Sequence, residues 1–306
     1  MKKYLKKVSY FLIIPLIGFL LIEWNVRSIA NSYSYKMDQF KIVKSSIDQL
    51  ILGNSHAYYG LNPSFLSKSS FNLANLSQSL DIDFALLKEN IEELDSLNTV
   101  ILPISSFSLA FHLTESEESW RKYDYYFYSG LARDQLSIPS FDIRNMSLVL
   151  AKGFKPNVDI LKNYWRKGSL INCSDNGWGN NYEGTILSTD EKLVKGTVER
   201  HASFMGSSSR NEVVLNQIIE LLKEKGIQLV LIQLPVTGDY FNYLNVDQLG
   251  ILNNYLLEKQ NANSHVVYLN WIQKNGFTND FFYDPDHLNH SGAEKVSKLL
   301  ADFLKQ

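Results

Sequence analysis

With 306 residues, 45% of them hydrophobic and 20% charged, the chain can bury one large core, or one core with an insertion. A net charge of -2 and a pI near 6.3 exclude the broad basic field that a nucleic-acid backbone requires, so no nucleic-acid partner is expected. The single cysteine, Cys173, excludes an internal disulfide, and the compartment has to be read from the N-terminus.

Lys2, Lys3, Lys6 and Lys7 precede an uncharged run from Val8 to Ile22, which is followed by Glu23, Trp24 and Arg27. Basic residues on the leading side place that end in the cytoplasm and the rest of the chain on the exported face, periplasmic or extracellular. The run is short for a span of about 20 residues, but Trp24 and Val26 extend it into the interface. A cleaved signal peptide is the rival reading, because Ser28-Ile29-Ala30 offers small residues at a cleavage spacing. Glu23 and Arg27 lie too close to the apolar run for that site to be a good one. The expectation is an uncleaved single-pass anchor, with residues 1–30 as cytoplasmic tail and membrane helix. Residues 31–46, polar and aromatic, read as a stalk.

Five apolar segments then have strand character: Gln49–Leu52, Phe71–Ala74, Thr99–Ile104, Gln228–Leu234 and His265–Leu269. Helical patterns begin at Ile82, Arg210, Asp247 and Ser291. Gly226 is a C-cap for the second of these; Ser291 with Glu294 has the spacing of a capping box for the last. Strands alternating with helices imply a parallel sheet with helices on both faces and the loops after the strands along one rim. The domain is expected over 47–306. Between the third and fourth strands, 105–209 is too long for a structureless loop and reads as a mostly helical cap, with helix-like stretches at Ser147–Lys152 and Val158–Lys167. Its Trp120, Tyr125, Tyr128, Trp165 and Trp178 have faces that stack on sugars, though a small core within the insertion accounts for them more simply.

The chemistry concentrates at two distant stretches. In Ile51 to Pro63, a short apolar run stops at Gly53, which puts Ser55 on a sharp turn at the carboxyl end of a strand, where open α/β sheets bind ligands. Near the C-terminus, Asp284-Pro285-Asp286-His287 places His287 in a loop on the same rim, with Asp284 three residues earlier. Acyl transfer needs a nucleophile, a base within hydrogen-bond reach, a group that orients the base, and donors for the oxyanion. Ser55, His287 and Asp284 fill the first three roles, which are recognised by function and not by chain order.

Gly53-Asn54-Ser55, the DxxH pattern of Asp284 and His287, and His287-Leu288-Asn289 followed by Gly292-Ala293 together resemble the SGNH (GDSL-like) hydrolase superfamily. The resemblance is to its membrane-anchored branch in particular, which handles acyl groups on envelope polysaccharides and teichoic acids. It covers the sheet and both ends of the exported region but not the insertion. It implies a flavodoxin-like three-layer α/β fold, a Ser-His-Asp triad and no cofactor. It further implies an acylated polysaccharide or other envelope ester as substrate, and a membrane protein as acyl donor. The second family block usually carries a glycine whose N–H binds the oxyanion; Ser77 stands there. The third usually carries an asparagine, where this chain has Ser105 and Ser106. Ser55, Ser77 and Ser105 are therefore the expected oxyanion residues, with His56, Asn75 and Tyr58 lining the substrate.

The same residues allow other readings. Asp284, Asp286, His287 and His290 have a composition that binds metal, but no third ligand cluster appears elsewhere in the sequence, and no metal is expected. His290 reads as a surface residue at a helix start, and Arg200, His201 and His112 as structural, with Arg200 a candidate contact for an anionic substrate. A serine esterase or O-acyltransferase is the expected activity. A catalytically weak or inactive relative serving envelope assembly or glycan binding is the alternative, supported by the missing third-block asparagine.

Overall fold

A strand covered on both faces needs a near-continuous apolar run, and the five such runs of this chain form one sheet. The computed structural model describes residues 2–184, 191–202 and 209–305. The strands are β1 (Gln49–Ile51), β2 (Ser70–Asn72), β3 (Thr99–Pro103), β4 (Gln228–Gln233) and β5 (Val266–Asn270), each within a residue or two of its predicted bounds. All pair in parallel in the order β2-β1-β3-β4-β5, with Leu50 flanked by Phe71 and Val100, and Val100 in turn beside Leu229. The strand order reverses between β1 and β3, the crevice where flavodoxin-like sheets bind their ligands.

The helices, in chain order, are α1 (Lys2–Ser28), α2 (Ser32–Val43), α3 (Ser55–Gly60), α4 (Leu80–Asn90), α5 (Lys122–Tyr128) and α6 (Leu148–Lys152). They continue with α7 (Phe154–Lys167), α8 (Glu191–Ala202), α9 (Ser209–Glu224), α10 (Gly238–Tyr243), α11 (Val246–Ala262) and α12 (His290–Leu304). Against the sheet, α4 packs on α9, and α12 packs on α3. The expected α/β class holds. Within α1, Tyr10–Ser28 is long and apolar enough to cross a membrane.

The chain divides into two compact units: residues 1–35 with 119–171, and residues 36–118 with 172–306, the latter holding the whole sheet. Where a polar stalk is expected, α2 buries Lys36, Met37 and Phe40, and Phe40 packs on Phe71. Of the aromatic residues expected in the insertion's core, Tyr125 is buried edge-on against Tyr33, and the Trp178 indole donates to Tyr59 O at 2.7 Å. Trp165 is instead 82% exposed.

One cap differs from its prediction. α12 is capped by Asn289, whose Oδ1 accepts from Gly292 N at 3.0 Å, while Glu294 pairs with Lys298 and not with Ser291. The reason lies in the turn before it: Asn289 also donates through Nδ2 to Asp280 O at 2.7 Å, so the tertiary loop fixes the helix start. Only glycine fits at 292, since a Cβ there would fall 2.1 Å from Phe281 O.

Candidate active site

Past β1 the chain must turn without losing its backbone hydrogen bonds. Gly53 does so at φ +114°, a region L side chains rarely enter, and its N–H donates to Asp83 Oδ1 at 2.7 Å. Asn54 then caps α3, its Oδ1 accepting from His56 N at 3.0 Å. Asn72 at the end of β2 ties down the other end of α3, donating to Ala57 O and Leu61 O at 2.9 and 2.8 Å. Ser55 is thereby the first residue of α3, on the carboxyl rim of the sheet.

Asp83 is buried, and burial pushes its carboxyl up to about 7 against the hydrogen bonds from Gln78 and Gly53. A carboxyl raised in the fold keeps a proton that the unfolded chain has released, so its contribution to stability falls as pH climbs from the ordinary 3.8 towards about 7. Asp83→Asn retains an acceptor for both donors and removes the charge. In urea denaturation it is expected to be more stable than wild type at pH 8, with the difference shrinking towards pH 4. An equal difference at both pH values would contradict the assignment.

The histidine arrives on a turn closed by pairing of Phe282 with Leu288, with Tyr283 N donating to His287 O at 2.9 Å and Thr237 donating from N and Oγ1 to Pro285 O. Asp284 Oδ1 accepts from the backbone N–H groups of Asp286 and His287 at 3.1 and 2.9 Å. It also accepts from His287 Nδ1 at 2.9 Å. Because a carboxylate only accepts, that contact puts the imidazole proton on Nδ1 and leaves Nε2 as an acceptor. Nε2 lies 2.8 Å from Ser55 Oγ. The structure thus brings Ser55, His287 and Asp284 into one hydrogen-bonded line.

A second carboxylate stands beside the first. Asp286 is buried, its Oδ2 accepting from His56 Nε2 at 2.9 Å and its Oδ1 lying 3.5 Å from His287 Nδ1. With Nε2 of His56 carrying the proton, Nδ1 accepts from Ser105 Oγ at 3.1 Å, and Ser105 Oγ accepts from Asn54 Nδ2 at 3.2 Å. Burial opposes the charge on Asp286, but the neighbouring His287 and His56 hold its carboxyl below the ordinary range. Burial likewise works to lower His287, yet the charge of Asp286, then the hydrogen bond to Asp284 and its charge, outweigh it and hold the imidazole above its ordinary value. His201 also approaches Asp286, at 3.9 Å, and bonds Tyr240 through Nδ1; burial pushes it down to about 3, so it stays neutral.

Ser77 takes φ +54°, the left-handed conformation that favours glycine, and its hydroxyl bonds Glu118. A non-glycine residue there costs about 1–2 kcal/mol. Ser77→Gly and Ser77→Ala both lose the Glu118 bond, so the glycine variant is expected to be about 1 kcal/mol more stable in thermal denaturation. Equal stabilities would contradict the strain. Asn75 is buried at the same rim, its N–H donating to Gly53 O at 3.1 Å and its Oδ1 accepting from Leu76 N at 3.1 Å. Ser105 N donates to Ser108 Oγ at 2.9 Å. Tyr58 is buried, its ring under the Lys36 ammonium at 4.2 Å and its hydroxyl donating to Asn172 O at 2.8 Å, which ties it to the 172–179 loop.

Three features of this site escape a reading by sequence. Asp286 and His201 join the buried network, although only the second acid of the Asp-Pro-Asp run gave any hint. Tyr59, Tyr182 and Tyr283 stack at centroid separations of 3.6 and 3.8 Å, and the first two stand edge-on to His287. His290 donates from Nε2 to Asn180 O at 3.0 Å and packs on Trp178, so it fastens the loop carrying Tyr182. The ligand atoms of His56, Asp286 and His287 lie within 4.8 Å of one another and have the composition of a divalent-metal site.

No family model matches the chain, and no curated protein matches it. Among solved structures, one from Bacteroides fragilis described as a candidate acylhydrolase is 11% identical, with 89% of this chain and 94% of that chain covered and a TM-score of 0.43. Another, from Streptococcus pneumoniae and described as a candidate platelet activating factor, is 12% identical, with coverages of 97% and 99% and a TM-score of 0.39.

Proposed function

We propose that the chain is a serine-dependent acyl-ester hydrolase or O-acyltransferase of SGNH type, membrane-anchored and acting on ester groups of cell-envelope glycans. The observation that carries this reading is the line from Ser55 Oγ through His287 to Asp284, with the tautomer fixed for proton acceptance at Nε2. Ser55 Oγ attacks the acyl carbonyl while its proton passes to His287 Nε2. The oxyanion of the tetrahedral intermediate is received by the N–H groups of Ser55 and Ser77. Ser105 contributes less to that hole, since its N–H already serves Ser108 and its hydroxyl serves His56. The intermediate collapses as Nε2–H protonates the leaving oxygen. The resulting acyl-enzyme passes its group to water or to a sugar hydroxyl, deprotonated in turn by His287, and a membrane acyl donor is the partner in the transfer case. No cofactor enters these steps.

Because His287 must be neutral to accept the proton, and its fold-raised value keeps it charged to higher pH, kcat/KM for a water-soluble aryl ester is expected to rise at a pH above that of an unperturbed histidine. Asp286→Asn removes the largest charge that raises His287, so the ascending limb is expected to move to lower pH. A limb that stays in place would contradict this role for Asp286.

The cluster of His56, Asp286 and His287 supports a second reading, a metal-dependent hydrolase. Ester hydrolysis measured with and without a chelator, in wild type and Ser55→Ala, separates the two. Activity that survives chelation and disappears in Ser55→Ala supports the serine enzyme; the opposite pattern overturns it. Activity lost to neither treatment overturns both catalytic readings, and no activity at all in folded protein favours the inactive envelope-binding alternative.

A further inference from the structure

An ordinary surface helix turns its apolar stripe towards the core. Helix α7 does the reverse. At 100° per residue, Phe154, Val158, Leu161 and Trp165 fall within an arc of about 60°. Phe154 is 86% exposed, Val158 44% and Trp165 82%, with Leu161 half-buried between them. Lys155, Lys162 and Arg166, all exposed, run along one border of the stripe.

The neighbouring contacts set the depth of this helix. Glu23, in the apolar stretch of α1, accepts from Leu148 N and Val149 N at 3.0 Å each and from Ser147 Oγ at 2.6 Å, capping α6. Arg27 bonds Glu23 and donates from Nη2 to Met146 O at 3.1 Å. A charged pair is costly in hydrocarbon, so Glu23 and Arg27 belong at the headgroup level, and the start of α6 belongs there with them. Only Gly153 separates α6 from α7, and α7 itself touches α1. The helix that carries the exposed stripe therefore adjoins the one segment of the described chain that is apolar enough to cross a bilayer.

We propose that α7 is an interfacial helix that lies on the outer surface of the bilayer beside α1. Its Phe154, Val158, Leu161 and Trp165 enter the acyl boundary, and Lys155, Lys162 and Arg166 meet anionic lipid phosphates. Such helices sink their apolar face about 5–10 Å below the headgroups, with tryptophan at the boundary. The inference rests on α1 spanning the membrane and is independent of the acyl chemistry. It gives this unit of the chain a second hold on the membrane.

The test is spin-label depth measurement on the full chain in nanodiscs containing phosphatidylglycerol. Single cysteines are placed along α7 in a Cys173→Ser background, with Ile17→Cys in α1 as the internal control. Collision with oxygen is expected to exceed collision with an aqueous nickel chelate at 154, 158, 161 and 165. The opposite is expected at 155, 159, 162 and 166. If position 17 lies in the acyl region while all of α7 is open to the nickel chelate, the interfacial helix is overturned and the anchor stands. If position 17 is itself aqueous, both are lost. A stripe shielded from both reagents means that protein covers it, and this too overturns the proposal.

Discussion

Ser55→Ala is expected to lower ester turnover by on the order of 10⁴–10⁶-fold, the scale seen when a triad nucleophile is removed. The size of the effect follows from the role proposed for Ser55: without Oγ there is no atom to carry the acyl group, and only the proposed oxyanion donors and binding remain. The fold has little reason to change. The cap of α3 is the side chain of Asn54, and the hold on its far end is Asn72, so neither depends on the Ser55 hydroxyl. A steady-state assay on a water-soluble ester, with circular dichroism to check folding, reads both. A loss under about tenfold in folded protein would remove Ser55 from the mechanism.

Asp284→Asn is expected to cost about 10⁴-fold in kcat with little change in KM, through the tautomer of His287. In wild type the carboxylate accepts two backbone N–H groups and the Nδ1–H at once. An asparagine meets the backbone donors with its oxygen and turns its NH₂ towards Nδ1. The ring must then carry its proton on Nε2, where it faces Ser55 and can no longer accept. Stability should fall modestly, since the backbone bonds survive. If Asp286, 3.5 Å from Nδ1, can hold the ring by itself, the loss will be far smaller, and Asp284→Asn with Asp286→Asn will recover the full effect.

How much of this was legible in the sequence differs from element to element. The strands were, because runs such as Thr-Val-Ile-Leu buried on both faces have few alternatives. A shared rim for Ser55 and His287 is readable from the element order, since both follow strands of one parallel sheet, and the two side chains lie 2.8 Å apart there. The two acids of Asp284-Pro285-Asp286 are indistinguishable on paper. Only the turn, closed by Phe282 with Leu288 and held by Thr237, sends one carboxylate to the front of the imidazole and the other towards His56. Helix α7 begins at Phe154 and not at Val158 because Pro156 is tolerated in a first turn, where its missing N–H is not needed. Glu23 looked like an obstacle to signal cleavage, and its partners Ser147 to Val149 lie more than a hundred positions away, beyond any local pattern.

The acyl chemistry is tested most directly by treating the full chain in detergent with a fluorophosphonate and mapping the adduct by mass spectrometry. One adduct on Ser55 is predicted, slowed greatly in His287→Ala and lost in Ser55→Ala. Folded protein that takes no label, or takes it on another residue, would contradict it.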